Sequence, residues 1–184
     1  MTDTTTKKQA RKAVAQRHAL VPWLFAILLL VLAGPPALAQ TEGGQAPRAF
    51  GDWTLQCGKV GGSQETSCIL VQEVTEQESG RPVMQFAVGF WGAEKHRGIV
   101  ITLPLGVRLP PGVQMKVDAT EVGNLPFFQC RQNGCQVHAN LDDALLSKFK
   151  AGNAGTVSFY DGTGRVIPVP FSLKGFTAGF AQVN

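Results

Sequence analysis

Apolar and polar side chains alternate along most of this chain in short runs bounded by Gly, Pro, Asn and Asp, the pattern of half-buried strands joined by tight turns. After Phe50-Gly51-Asp52, Trp53, Leu55 and Cys57 fall on one face and Asp52, Thr54 and Gln56 on the other, predicting a strand over residues 52–57. A Gly-Lys-Val-Gly-Gly-Ser loop turns the chain, and Cys68 opens a returning strand over 67–75. Ile69, Leu70 and Val71 run in succession there, which predicts burial on both faces. Beyond a polar turn at 76–82, Met84, Phe86, Val88 and Phe90 alternate with smaller or polar residues; after turn residues at 92–95, so do Ile99, Ile101 and Leu103. These two segments predict a hairpin that Pro104 ends.

Residues 103–112 are too rich in proline for a central strand and too apolar for an exposed loop, so they are expected to pack across one end of the domain. Val113, Met115 and Val117 alternate with Gln114, Lys116 and Asp118 in a half-exposed strand, and a second cysteine hairpin pairs 127–130 with 135–139. One helix follows. Asp142 or Asp143 is placed to cap it, Leu145, Leu146 and Phe149 share a side, Lys148 and Lys150 occupy the last turn, and Gly152 lies beyond. Strands at 156–160 and 165–173 flank the turn Asp161-Gly162-Thr163-Gly164. In the last strand Pro168 and Pro170 remove donors from the same side, so it should be a sheet edge, pairing through Ile167, Val169 and Phe171. Phe176 and Phe180 are expected to pin the tail to the core. Eight or nine short strands and one connecting helix predict an all-β fold: an antiparallel β-sandwich, immunoglobulin-like, with one short connecting helix.

The first residues depart from this pattern. Five basic residues (Lys7, Lys8, Arg11, Lys12, Arg17) precede an apolar run from Leu20 to Ala33, then Gly34-Pro35-Pro36 and Ala37-Leu38-Ala39. That is the layout of a secretory signal peptide, and its apolar run is short of the roughly 20 residues that cross a bilayer. The expected organisation is a signal peptide at 1–39, a flexible tether at 40–49 and one domain at 50–184, with no transmembrane segment after cleavage and a location in the periplasm, at the outer surface or outside the cell. The leader also accounts for the formal charge of +4; from Gln40 onward, 12 Lys plus Arg face 12 Asp plus Glu. A near-neutral chain without a basic stripe argues against a nucleic-acid partner.

All four cysteines, Cys57, Cys68, Cys130 and Cys135, lie in the exported part, which favours structural disulfides over metal or redox chemistry. Four cysteines permit three pairings, and spacing alone does not choose; the local pairing Cys57–Cys68 and Cys130–Cys135 is preferred. If Cys130 and Cys135 are bonded, they sit opposite each other across the four residues 131–134, whereas an Asn-Gly turn would set Cys130 against Val137.

Catalytic chemistry is sparse. His96 and His138 belong to no recognisable triad or zinc helix, Asp142-Asp143 reads as a helix cap, and Glu73, Glu76 and Glu78 read as a solvated edge. No phosphate loop, dinucleotide fingerprint or calcium loop is present. The expectation is no enzyme, no cofactor and no metal.

Read together, Phe50-Gly51-Asp52-Trp53 with Cys57 and Cys68, Leu103-Pro104-Leu105-Gly106-Val107 with Leu109-Pro110 and Gly112, Asn133-Gly134-Cys135, Asp142-Asp143-Ala144-Leu145-Leu146, and Ser172-Leu173-Lys174-Gly175-Phe176 with Gly179-Phe180 resemble the invasion-associated locus B family. The resemblance spans the exported chain and implies an all-β protein of the Gram-negative envelope with paired cysteines. It offers no catalytic residue. The expected function is therefore an exported, non-enzymatic binding protein that contacts an envelope or host protein and takes part in host-cell invasion or envelope interactions. Its expected contact surface is residues 103–112 or the edge opposite the proline strand. The alternative is a small-molecule-binding or cell-wall-modifying periplasmic protein with a cleft near Asp142, Asp143 and His138.

Overall fold

A computed structural model describes residues 45–59, 65–92 and 94–184. The expected signal peptide, half of the expected tether and residues 60–64 of the loop between Cys57 and Cys68 lie outside the described residues.

The described chain is an antiparallel β-sandwich. In order, its elements are β1 (Arg48–Phe50), β2 (Trp53–Lys59), β3 (Thr66–Thr75), β4 (Pro82–Trp91), β5 (His96–Leu103), β6 (Val113–Val117), β7 (Thr120–Leu125), β8 (Phe127–Arg131), β9 (Gly134–Asn140), α1 (Asp143–Ala151), β10 (Ala154–Tyr160), β11 (Val166–Ser172) and α2 (Phe176–Phe180). One sheet has the order β1-β2-β3-β4-β5-β9-β8, the other β11-β10-β6-β7. The chain changes sheet between β5 and β6, at the Pro126 corner between β7 and β8, and through α1.

Alternation carries through to burial. Trp53 and Leu55 are buried, as are Met84, Phe86 and Val88, Ile99, Ile101 and Leu103, and Val113, Met115 and Val117. Each such side chain contributes roughly 1.5 to 3 kcal/mol relative to exposure. On β3, Leu70 faces the core while Val71 is buried on the outer face, as the unbroken apolar run predicts. At one end of the sandwich the core is aromatic: Trp53 meets Phe86 and Phe176 edge-on at 5.8 and 5.3 Å, and Phe171 lies 4.7 Å from Phe86. Phe149 of α1 packs edge-on against Phe176.

Three elements depart from the sequence expectation. Arg48 and Ala49, assigned to the tether, belong to β1, which forms because the edge of β2 supplies partners for it. β7 was not expected, since Thr120-Glu121-Val122-Gly123-Asn124-Leu125 does not alternate. It exists because Asp118 adopts a left-handed φ of 48° and turns the chain back on β6, with the Asp118 carboxylate accepting the N–H groups of Asn153 and Ala154. α2 is a second, five-residue helix that buries Phe176. The single connecting helix, α1, forms as expected: Asp142 accepts the Leu145 N–H at 2.8 Å, and Leu145, Leu146 and Phe149 are buried.

Candidate functional site

The proline strand β11 is an edge and pairs only with β10. Pro168 and Pro170 turn their missing donors away from β10, and Ser172, in step with them, turns its N–H and C=O the same way. Those two groups are taken by Gln72 from the facing sheet. Gln72 Oε1 accepts the Ser172 N–H at 2.8 Å, and Gln72 Nε2 donates to the carbonyls of Ser172 and Asp52, each at 3.1 Å. Trp53 Nε1 also donates to Ser172 O at 2.9 Å. Gln72 is only 6% exposed, and its amide joins the two sheets where a ladder cannot. The sequence read Gln72 as an ordinary strand residue; a polar residue following Ile69-Leu70-Val71 was the available signal.

The opposite flank ends differently. β8 pairs with β9 alone, and its register slips between Phe127 and Gln129. Phe127 opposes Val137, Gln129 opposes Gln136, and Phe128 is the extra residue of a β-bulge, a device that re-aims a side chain. Phe127 consequently packs on the core, while Phe128 swings to the outer face, stacks on the His138 ring at 4.3 Å and stays 65% exposed. Gln129 shares that face and donates to Gln136 Oε1 at 2.8 Å.

Residues 104–112 lie beside this edge. Val107 packs on the core and the Arg108 N–H is held by Tyr160 O at 2.9 Å, which tie the segment to the domain, but most of it is exposed where its apolar composition predicts packing. Leu105 and Leu109 remain 58% and 44% exposed. The Gly112 N–H closes a turn onto Leu109 O at 3.0 Å, and its φ of 70° and the nearby Leu125 carbonyl leave no room for a side chain. Leu109 and Pro110 on one side, with Pro126, Phe127, Phe128 and Cys130 on the other, line a groove of about 410 Å³. Its polar lining is Asn124 and Gln129, and among the described residues no charged one contributes to it.

The disulfides hold both flanks. Cys57 pairs with Cys68 and Cys130 with Cys135, each directly across its hairpin. The Cys130–Cys135 register is the expected one, but the loop is tighter than four residues. Arg131 pairs with Gly134, leaving Gln132-Asn133 as the turn, because Gly134 takes a φ of 134° against the Leu103 carbonyl, where a Cβ would collide.

The other candidates do not converge. Asp142 is committed to the helix cap, and Asp143 pairs with Arg97 at 2.6 Å. His138 is on the outer face under Phe128, and His96 pairs with Glu94 in an exposed turn. A cleft of about 260 Å³ beside α1 contains Asp142, Asn140 and Lys148, but neither Asp143 nor His138. Glu76 bonds to Ser79 and Arg81, which hold its carboxyl below the usual range. Asp161 closes the β10–β11 turn, and the Thr163 hydroxyl, followed by the Arg165 backbone, holds it well below the usual range. Among the described residues no group of His, Cys, Asp or Glu is arranged to hold a metal ion, and no helix is long and apolar enough to cross a membrane.

The fold and its fittings define a class: a disulfide-stapled, two-sheet antiparallel sandwich with one proline-bearing edge strand tied to the facing sheet by Gln72 and one bulged edge strand that exposes Phe128. Residues 53–184 match the Invasion associated locus B (IalB) protein family, and the chain belongs to it. It is 26% identical over 136 residues to an invasion protein B homolog of Brucella abortus strain 2308, covering 73% of this chain and 77% of that one. A homolog from B. abortus biovar 1 strain 9-941 matches equally. The crystal structure of invasion associated protein B from Bartonella henselae superposes with a TM-score of 0.66 at 18% identity, over 75% of this chain and 94% of the other, a likeness of fold.

Proposed function

We propose that this chain is an exported, non-enzymatic binding module of the cell envelope that holds a partner protein in the groove between residues 104–112 and β8. The observation that carries this reading is the bulge at Phe128. A regular strand would alternate Phe128 away from Gln129; the bulge puts both on one face and leaves the aromatic ring in solvent beside Leu109 and Pro110. Exposed apolar surface beside an unpaired strand edge is the usual basis of peptide recognition. The lining is uncharged and rich in Pro and Phe, so the partner segment it fits is extended, apolar and uncharged. Its source is another envelope protein or a host protein, and a contribution to host-cell entry, named for the relatives, is part of the same proposal.

A photo-crosslinking residue at position 128, introduced into the exported protein in intact cells, is the test. A defined adduct that disappears when Leu109→Asp is added, while the same residue at exposed Val166 gives none, is the expected result. Equal labelling from both positions, or no adduct from either, overturns the proposal.

The small-molecule reading rests on the cleft beside α1. It is weaker, because the one carboxylate there already caps the helix.

A further inference from the structure

β2 stops pairing with β3 at Thr54 and Val71, yet β3 continues to Thr75 with β4 as its only neighbour. The Cα atoms of Cys57 and Cys68 are 4.1 Å apart, the short spacing of a non-hydrogen-bonded pair, so the alternate residues Ser67, Ile69 and Val71 carry the ladder to β2. The Cys68 N–H agrees with this phase: it points away from β2 and is accepted by Asn184 Oδ1 at 3.0 Å. By the same alternation Glu73 directs its N–H and C=O toward the side on which β2 has ended.

Facing that free edge is β11, where Pro170 offers a carbonyl and no donor. The two sheets cannot zip together here, and an open groove of about 570 Å³ lies between Glu73, Val74 and Thr75 on one wall and Pro170 and Phe171 on the other. Gln72 and Ser172 close its inner end. The charged residues lining it are Asp52 and Glu73, both acidic and both exposed. No cation lines it.

We propose that this groove receives an extended, lysine- or arginine-bearing segment of another protein, added as a strand to the free half of β3. A strand edge with unpaired N–H and C=O groups is a template for such addition. Opposite charges on neighbouring strands favour it, which selects a cationic segment against Glu73 and Asp52. The Pro170 carbonyl accepts an N–H from the incoming segment's far side, so β11 can receive the strand while being unable to replace it. The groove is on the flank opposite Phe128, and this inference stands or falls independently of the function proposed above.

The test uses the oxidised exported chain, isotopically labelled, titrated with a blocked peptide in which Lys alternates with Val and Thr. Saturable amide shifts at Glu73, Val74 and Thr75 and in the Gln72 side-chain amide are expected, with none from the analogue carrying Glu for Lys. Reversing both charges with Asp52→Lys and Glu73→Lys should weaken binding about tenfold, and about 0.5 M salt should weaken it for the unaltered chain. Both sites are exposed, so the variant is expected to fold. Absence of shifts, equal binding of the Glu peptide, or shifts confined to the groove around Phe128 overturns the inference.

Discussion

The two edge strands β11 and β8, of seven and five residues, sit on opposite flanks of the sandwich and are finished in opposite ways. On β11 the edge itself is disarmed: two prolines withhold donors, and the outward N–H and C=O of Ser172 are taken by Gln72 and Trp53. On the β8 flank the edge carries no proline, its ladder is broken by a bulge, and an aromatic ring stands in solvent. Exposed edges invite pairing with other chains, and proteins blunt those they do not use. The contrast assigns structural duty to Gln72 and recognition to Phe128, and it can be broken at either end.

The largest effect is expected at the sealed flank. Gln72→Ala empties a buried position, leaves the half-buried Ser172 N–H without its acceptor and the Asp52 carbonyl without its donor, and should cost about 3 kcal/mol, read as a lower urea midpoint. A loss under about 0.5 kcal/mol would mean that water replaces the amide freely and that the seal is incidental.

Next comes the staple on the open flank. Replacing Cys130 and Cys135 together by Ser should cost roughly 2 kcal/mol on the chain-entropy account of so short a loop, and it should raise amide exchange along β8 more than along β2. Equal exchange on both hairpins would remove the distinction between them.

The proline edge should respond in association rather than in stability. With Pro168→Val and Pro170→Val, β11 regains two outward donors, and the protein should shift toward dimers or larger species in light scattering while its unfolding midpoint moves by less than about 1 kcal/mol. A variant that stays monomeric would show that Gln72 alone suffices to close that flank.

The smallest stability change belongs to the residue given the recognition role. Phe128→Ala should alter unfolding by about 0.5 kcal/mol or less, since most of the ring is already in water. A loss of 2 kcal/mol or more would reassign Phe128 to structure, as the support of His138.

Local pattern made much of this legible. Pro168 and Pro170 announce an edge whatever surrounds them, because a missing N–H is a covalent fact. Asp142, Leu145, Leu146, Phe149, Lys148 and Gly152 announce a helix by position alone. The ordered motifs between Phe50 and Phe180 also resemble the family to which the chain belongs. What stayed hidden needed a partner to exist. β1 is three residues that become a strand only because β2 offers an edge, and β7 lacks alternation and is held by the Asp118 turn. Phe127-Phe128 breaks the alternation of its strand, a trace of the bulge, but the direction of the exposed ring depends on the β9 register. The three residues of the alternative cleft, Asp142, Asp143 and His138, are scattered by the fold onto a cap, an ion pair and the outer face.

By itself, then, the sequence determined the alternating strands, the edge that cannot pair, the helix and its cap, and the two cysteine hairpins. Each depends on backbone chemistry or spacing within a few residues. Only the tertiary structure decided that Gln72, 100 positions away in the chain, would seal Ser172, and that β3 would outrun β2. It alone set Phe128 in solvent beside Leu109. Those outcomes depend on which strands meet and in what register, and register is a property of the assembled sheets.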